Sequence, residues 1–331
     1  MNIQLKNKLE LFVENNQSIR SDFVWHDAMA NRLVALTYAL EGKKVDNEAI
    51  KKCHKMLKSE VGVFSTFRGN MAVYIAASLS LNEKPQQLLA DMLEVYDLLK
   101  QEGFWASDYL VVTAYEIAAN TESHNFWHIA QRSMEFYKEM KANIRFHIGQ
   151  DDYIFAAMLA LSEIDVHEGA LKMRHLFRQL KQEFSAFTSG SSIVTLSQML
   201  VLGKSTDKCV QNLLKLNRVL RKKKVRLDKT YTLPSLGVLG MFTVDKYAFA
   251  DDLVVARDYL RTQKGFGAFS VSTQELLLYA VSLITNAYMG DAGNNVMKAG
   301  VATSITNLII AQQVAIMVSI SAATTAAAAS C

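Results

Sequence analysis

Asp108, Asp151 and Asp152 are the residues of this 331-residue chain whose type and placing best suit proton transfer. Each stands at a polar hinge just ahead of a very apolar stretch. Ser107-Asp108-Tyr109 precedes LVVTAYEIAA, and Gly149-Gln150-Asp151-Asp152-Tyr153 precedes IFAAMLALS. Two carboxyl groups in one site can divide general acid–base catalysis, one giving a proton and the other taking it. Arg68, Ser191 and Asp228 occupy corresponding hinges, and Tyr231 follows the last of these. If the apolar helices all run in one direction, their N-terminal ends meet on one rim. Asp108, Asp151 and Asp152 are then the catalytic candidates, and Arg68, Tyr109, Gln150, Tyr153, Asp228 and Tyr231 are the candidates to bind a ligand. The competing reading is capping. Asp, Ser and Asn in a first helical turn ordinarily accept bonds from orphan N–H groups, and their charge suits the helix dipole. The Asp151-Asp152 pair is the exception, because one Asp suffices for a cap.

These hinges belong to a repeat. Gly69, Asp108, Asp151, Ser191, Lys229 and Phe269 are separated by 39, 43, 40, 38 and 40 residues, the spacing of helix-pair repeats. An apolar or aromatic lead-in precedes each one: Val63-Phe64 with Phe67, Phe104-Trp105, Ile144 with Phe146, Phe184 with Phe187, Val225 with Leu227, and Phe266. A run rich in Ala, Leu, Ile and Val follows each. Asp22-Phe23-Val24-Trp25 with MANRLVALTYAL adds a copy at the front. Between these runs lie segments such as QQLLADMLEVYDLLKQEG and DKCVQNLLKLNRVLRKKK, apolar on one helical face only. A helix apolar nearly all round is buried on most sides, whereas one with a polar face lies outside. The expectation is an all-α fold of about seven helical hairpins, closed into an α/α toroid or open as an α-solenoid. Residues 1–290 form one helical-repeat domain, and 291–331 form an uncharged Ala-rich helix and tail. Two prolines and 15 glycines in the whole chain agree with this.

Local signals refine the elements. Residues 3–17 read as a first helix with Ile3, Leu5, Leu9, Leu11 and Phe12 inward. Gly42 suits a left-handed C-cap, Asp46 an N-cap, and Pro85 the first position of a helix. Lys204 to Asp207 reads as a loop and N-cap. Pro234 sits early in a helical run, which either starts near Thr232 or is kinked there.

Other chemistries lack their residues. Seven histidines form no metalloprotease motif, and His124 and His128, though four apart, have no third ligand nearby. No Walker loop, dinucleotide fingerprint, nucleophile elbow or Cys–His pair occurs, so no metal or cofactor is expected. Net charge is +4, too small to call for a specific nucleic-acid partner. The basic run from Lys215 to Lys229 reads as a solvated helix end favoured by the dipole, since no aromatic residues interleave with it. Cys53, Cys209 and Cys331 show no paired spacing, which suits a reducing compartment. The charged N-terminal segment has no signal-peptide run, so the expected location is cytoplasmic. After Lys298 no charged residue remains. That stretch is long enough for a bilayer, but Asn307, Gln312 and Gln313 inside it favour a buried final helix over a membrane contact. A contact with a second copy of the chain is the third reading.

Two family resemblances follow from these residues. Apolar inner helices alternating with amphipathic ones, with the lead-ins Gly103-Phe104-Trp105 and Gly265-Phe266, resemble the α/α toroids of terpene cyclases and prenyltransferases. That likeness implies a prenyl-type substrate. Gly149-Gln150-Asp151-Asp152 departs from the cyclases' Asp-x-Asp-Asp acid by lacking its first Asp, and no apolar helix start supplies the Cys of a prenyltransferase zinc site. The Phe67-Arg68-Gly69 start, the Gly149 to Asp152 hinge and the Ala-rich tail with Ala311-Gln312-Gln313 resemble a bacterial family, domain of unknown function four thousand and three. It brings no activity. Two functions remain: a binding or scaffold module for a protein, peptide or apolar ligand, and an α/α-barrel enzyme on a prenyl- or sugar-type substrate with rim carboxylates as acid and base.

Overall fold

The computed structural model describes residues 3–23, 27–184, 186, 188–204, 207–240, 245–292 and 309–319. Val24, Trp25 and His26, Phe187, Ser205 and Thr206, and the tail beyond 319 lie outside the described residues. Within them the fold is all-α, with no strand. In chain order the helices are α1 (Ile3–Asp22), α2 (Ala28–Leu40), α3 (Asn47–Glu60), α4 (Ala72–Ser80), α5 (Pro85–Gln101), α6 (Asp108–Asn120), α7 (Phe126–Asn143), α8 (Tyr153–Ala160), α9 (Val166–Phe184), α10 (Gly190–Leu202), α11 (Asp207–Lys222), α12 (Ser235–Gly240), α13 (Lys246–Thr262) and α14 (Thr273–Ala292).

Burial alternates along this series as the apolar patterning requires. Every residue of α4 from Ala72 to Leu79 is buried, and α8 buries all but one of its residues. On α3 only Ile50, Cys53, His54 and Leu57 are buried, a stripe at helical spacing. Full burial of each Leu or Ile on such faces contributes about 1.5–3 kcal/mol. The local stop and start signals act where the residues place them. Gly42 takes φ +68, Asp46 accepts from the Ala49 N–H at 2.9 Å, and Pro85 opens α5. Pro234 does not kink a helix. It sits in a tight turn immediately before α12, where its missing N–H removes no helical bond. α1 runs longer than its apolar pattern implies, and Ile3 at its start is 74% exposed rather than inward.

The chain divides into two compact units. Unit A comprises Met1–Ser18, Ala35–Val45 and His175–Gln312, and unit B comprises Ile19–Val34, Asp46–Arg174 and Gln313–Cys331. In unit A, α11 packs on α12 and α13, and α14 packs on α12 and α13. Phe12 of α1 sets its ring 5.2 Å from both Phe266 and Tyr279. In unit B, α3 packs on α4, α5 on α6 and α7 on α8. The apolar helices α6 and α8 are direct neighbours, as are the amphipathic α5 and α7. Two 3-10 turns, Thr66–Arg68 ahead of α4 and Gln150–Asp152 ahead of α8, both lie against α6. The N-terminal ends of three apolar helices therefore share one end of unit B.

The C-terminal stretch 309–319 is helical, and its residues from 309 to 318 are buried on every side. Gln312 lies in unit A and donates to Ser235 Oγ at 2.7 Å, so its amide has the partner that burial demands. No described helix is long and apolar enough to cross a membrane.

Candidate functional site

The site begins with a division of labour at the start of α6. Ser107 is the cap: its Oγ accepts from the Leu110 N–H at 3.3 Å. Asp108 is thereby left without a capping role. Its carboxyl presses on the hinge before α4, and a Cβ on Gly69 would lie 2.6 Å from Asp108 Oδ1. Burial raises the Asp108 pKa above the ordinary carboxylate value. The favourable dipole at a helix start is outweighed by the loss of water.

The same division recurs between Asp151 and Asp152. Asp152 is buried, and its Oδ2 accepts from the Gly149 N–H at 2.8 Å, tying the hinge to the start of α8. Asp151 closes no such bond to a neighbouring residue. Its carboxyl lies against Gly149, where a Cβ would stand 2.6 Å from Oδ1. Burial raises its pKa, and a bond from its own backbone N–H only partly offsets that. Among the described residues, no cation contributes to the titration of either Asp108 or Asp151.

Tyr109 connects the two hinges. Its hydroxyl meets Ser319 Oγ at 2.9 Å. Its pKa is pushed up to about 12, chiefly by burial and then by the negative charges of Asp151, Asp152 and Asp108. The rim of unit B thus brings together Asp108, Tyr109, Asp151 and Asp152. Tyr153 stands behind them in an aromatic cluster, its ring 4.7 Å from Phe104 and 5.1 Å from Tyr137. Its hydroxyl accepts from the Trp105 N–H at 3.5 Å. The Tyr137 phenol is likewise pushed up to about 12, first by burial and then by Tyr153, Asp152 and Asp151. Gln150 is half-buried and receives the Tyr153 N–H on its carbonyl. Arg68 lies one residue from Gly69, but its Nη2 donates to Lys58 O and, at 3.0 Å, to Val61 O, closing the end of α3.

A family model described as "Protein of unknown function (DUF4003)" matches residues 15–314. The chain belongs to that family. No curated protein and no solved structure matches it.

Two of the expected ligand-binding residues of this DUF4003 protein lie in unit A and have local surroundings of their own. Asp228 is fully buried and receives Arg226 Nε at 2.7 Å and Nη2 at 3.1 Å, with Arg221 Nε at 3.6 Å. Lys223 of the same basic run pairs with Asp251. Tyr231 is half-buried in the turn before Pro234. Sequence reasoning missed Glu116. It sits on α6 at 3% exposure, and burial pushes its pKa up to about 8. Its Oε2 accepts a long bond from Asn120 Nδ2 at 3.5 Å. The available signal was a single acid inside the run LVVTAYEIAA. Among the described residues, no group of three His, Cys, Asp or Glu is placed to hold a metal.

Chemically, the rim offers two partly buried carboxyls, both biased toward holding a proton, beside a phenol that stays protonated at neutral pH. Such a set can accept hydrogen bonds from a cationic group or lend a proton.

Proposed function

We propose that this protein is a cytoplasmic helical-repeat binding module whose ligand is seated on the rim of unit B through a cationic or multiply donating group. The observation that carries this reading is that Asp108 and Asp151 are partly buried, raised in pKa, and neither caps a helix. A carboxylate kept largely out of water with no cation beside it is held at a cost, and a bound cation would remove that cost. The buried free thiol of Cys53 suits a reducing compartment.

The test is a titration with Nα-acetyl-arginine amide, following the carbon-13 carboxyl resonances of selectively labelled Asp. Saturable shifts at Asp108 and Asp151, absent at half-buried Asp91 and exposed Asp97 of α5, are expected. Equal small shifts at all aspartates would sink the reading.

The raised carboxyl pKa values also favour a second reading, in which Asp108 or Asp151 acts as a general acid toward a prenyl- or sugar-type substrate. It requires turnover that is lost in Asp108→Asn and Asp151→Asn and retained in a chain altered elsewhere on the rim.

A further inference from the structure

Three aromatic side chains stand in water at equal sequence intervals around the unit B rim. Phe64, Trp105 and Phe146 are 41 residues apart, and are 100%, 73% and 97% exposed. Each lies on the loop that leads an amphipathic helix into an apolar one. In the same loops Phe67, Phe104 and Ile144 are buried, whereas the three rings, with Val63 beside Phe64, are exposed. Leaving one large apolar side chain in water is ordinary, but repeating it at the repeat period marks a surface that something covers.

Phe146 adds an independent observation. Its backbone takes φ +70, a left-handed conformation that bulky residues adopt at a cost and that Gly or Asn would take more readily. Neither packing nor backbone geometry accounts for a Phe at this place, which leaves recognition.

The three loops are neighbours in space. The turns Thr66–Arg68 and Gln150–Asp152 flank α6, whose own lead-in carries Trp105. α6 packs directly on α8 and lies against the turn ahead of α4, and packed helices lie about 8–10 Å apart, which sets the scale of spacing between successive loops. A polyproline II strand has three residues per turn and a rise of about 3.1 Å, so it presents the same face about every 9 Å. Aromatic rows are the surfaces on which such strands dock. Charge decides what the strand carries. Unit B holds 15 Lys and Arg against 20 Asp and Glu, a net of −5 with His neutral, and Asp108 and Asp151 lie beside the row.

We infer that the unit B rim binds an extended, proline-rich peptide segment carrying a cationic side chain at every third residue. The rings stack on the cations and pyrrolidines, and Asp108 and Asp151 accept from the cations. This last contact rests on the function proposed above, whereas the ring row does not.

The experiment is a fluorescence-anisotropy titration of the full chain with a fluorescein-labelled peptide of four Pro-Pro-Arg triplets. The variants are Phe64→Ser/Trp105→Ser/Phe146→Ser, all at exposed positions, and Asp108→Asn/Asp151→Asn. Saturable binding that the ring variant weakens by about tenfold or more is expected. Ring dependence without carboxylate dependence would uphold the row and overturn the carboxyl site. Carboxylate dependence without ring dependence would do the reverse. No binding, equal binding of a Pro-Pro-Glu peptide, or ring-dependent capture by phosphatidylcholine–phosphatidylglycerol vesicles in place of the peptide would overturn the inference.

Discussion

A Cβ added to Gly69 would stand 2.6 Å from Oδ1 of Asp108 and 3.0 Å from the Thr66 carbonyl. The backbone of Gly69 has an ordinary negative φ of −73, so close approach and not conformational freedom requires glycine here. Gly69→Ala must displace the Asp108 side chain or spread the two hinges. We expect a loss of about 1–3 kcal/mol, the usual range for overpacking. In the double variant Gly69→Ala/Asp108→Ala part of that loss should return, giving a coupling of about 1 kcal/mol in a double-mutant cycle. Strict additivity by urea denaturation would show that the contact carries no energy.

Asp151 and Asp152 are adjacent in sequence and opposite in role. Asp152→Ala removes the acceptor of the Gly149 N–H and should lower stability by about 1–2 kcal/mol. Asp151→Asn removes a charge that burial already disfavours, and should leave stability unchanged or raise it at pH 7. Thermal melts of both variants decide this. Equal losses would mean that both carboxyls are structural and that the rim has no unassigned pair.

The two aspartates show where the sequence is legible. Alternating fully apolar and one-faced segments predicted the helices, since burial on all sides and burial on one side leave different residue patterns. Pro85, Asp46 and Gly42 acted locally and could be placed. The meeting of Asp108, Tyr109 and Asp151 was expected only on the condition that the apolar helices run in one direction, which hinge spacing does not itself fix. Other features depend on three-dimensional surroundings. The hinge signal that selected Asp228 also fits the buried pair it makes with Arg226, because hinge residues look alike whether they face a rim or a loop cation. Arg68 looked like a rim cation, and its Nη2 closes the end of α3, since a helix C-terminus eight residues away leaves no mark beyond its exposed carbonyls. The exposure of Phe64, Trp105 and Phe146 was hidden because lead-in aromatics such as Phe67 and Phe104 are buried.

Phe146 offers a stability gain opposed to the proposed recognition. Asn tolerates φ +70 better than Phe, and the Phe ring loses no buried contact by leaving because it is 97% exposed. Phe146→Asn should therefore stabilise the chain by up to about 1 kcal/mol in chemical denaturation. A loss of that size would show that the ring packs in solution, and would remove the argument from strain.

Glu116 should make stability depend on pH. Its folded pKa is pushed up to about 8 by burial, whereas an unfolded Glu titrates near about 4.3. The folded chain keeps a proton that the unfolded chain gives up, so the sign is fixed. The stability contribution is fully present below the unfolded value and is lost as pH rises through the folded one. Asp108 and Asp151 shift in the same direction, so the wild-type curve alone does not isolate Glu116. Its difference from Glu116→Gln does, since the amide keeps the size of the side chain and cannot ionise. From about pH 4 to about pH 8 the wild type should lose stability relative to Glu116→Gln by on the order of 4 kcal/mol. Parallel curves over that range would mean that Glu116 reaches water or a cation in solution, and its burial on α6 would have to be revised.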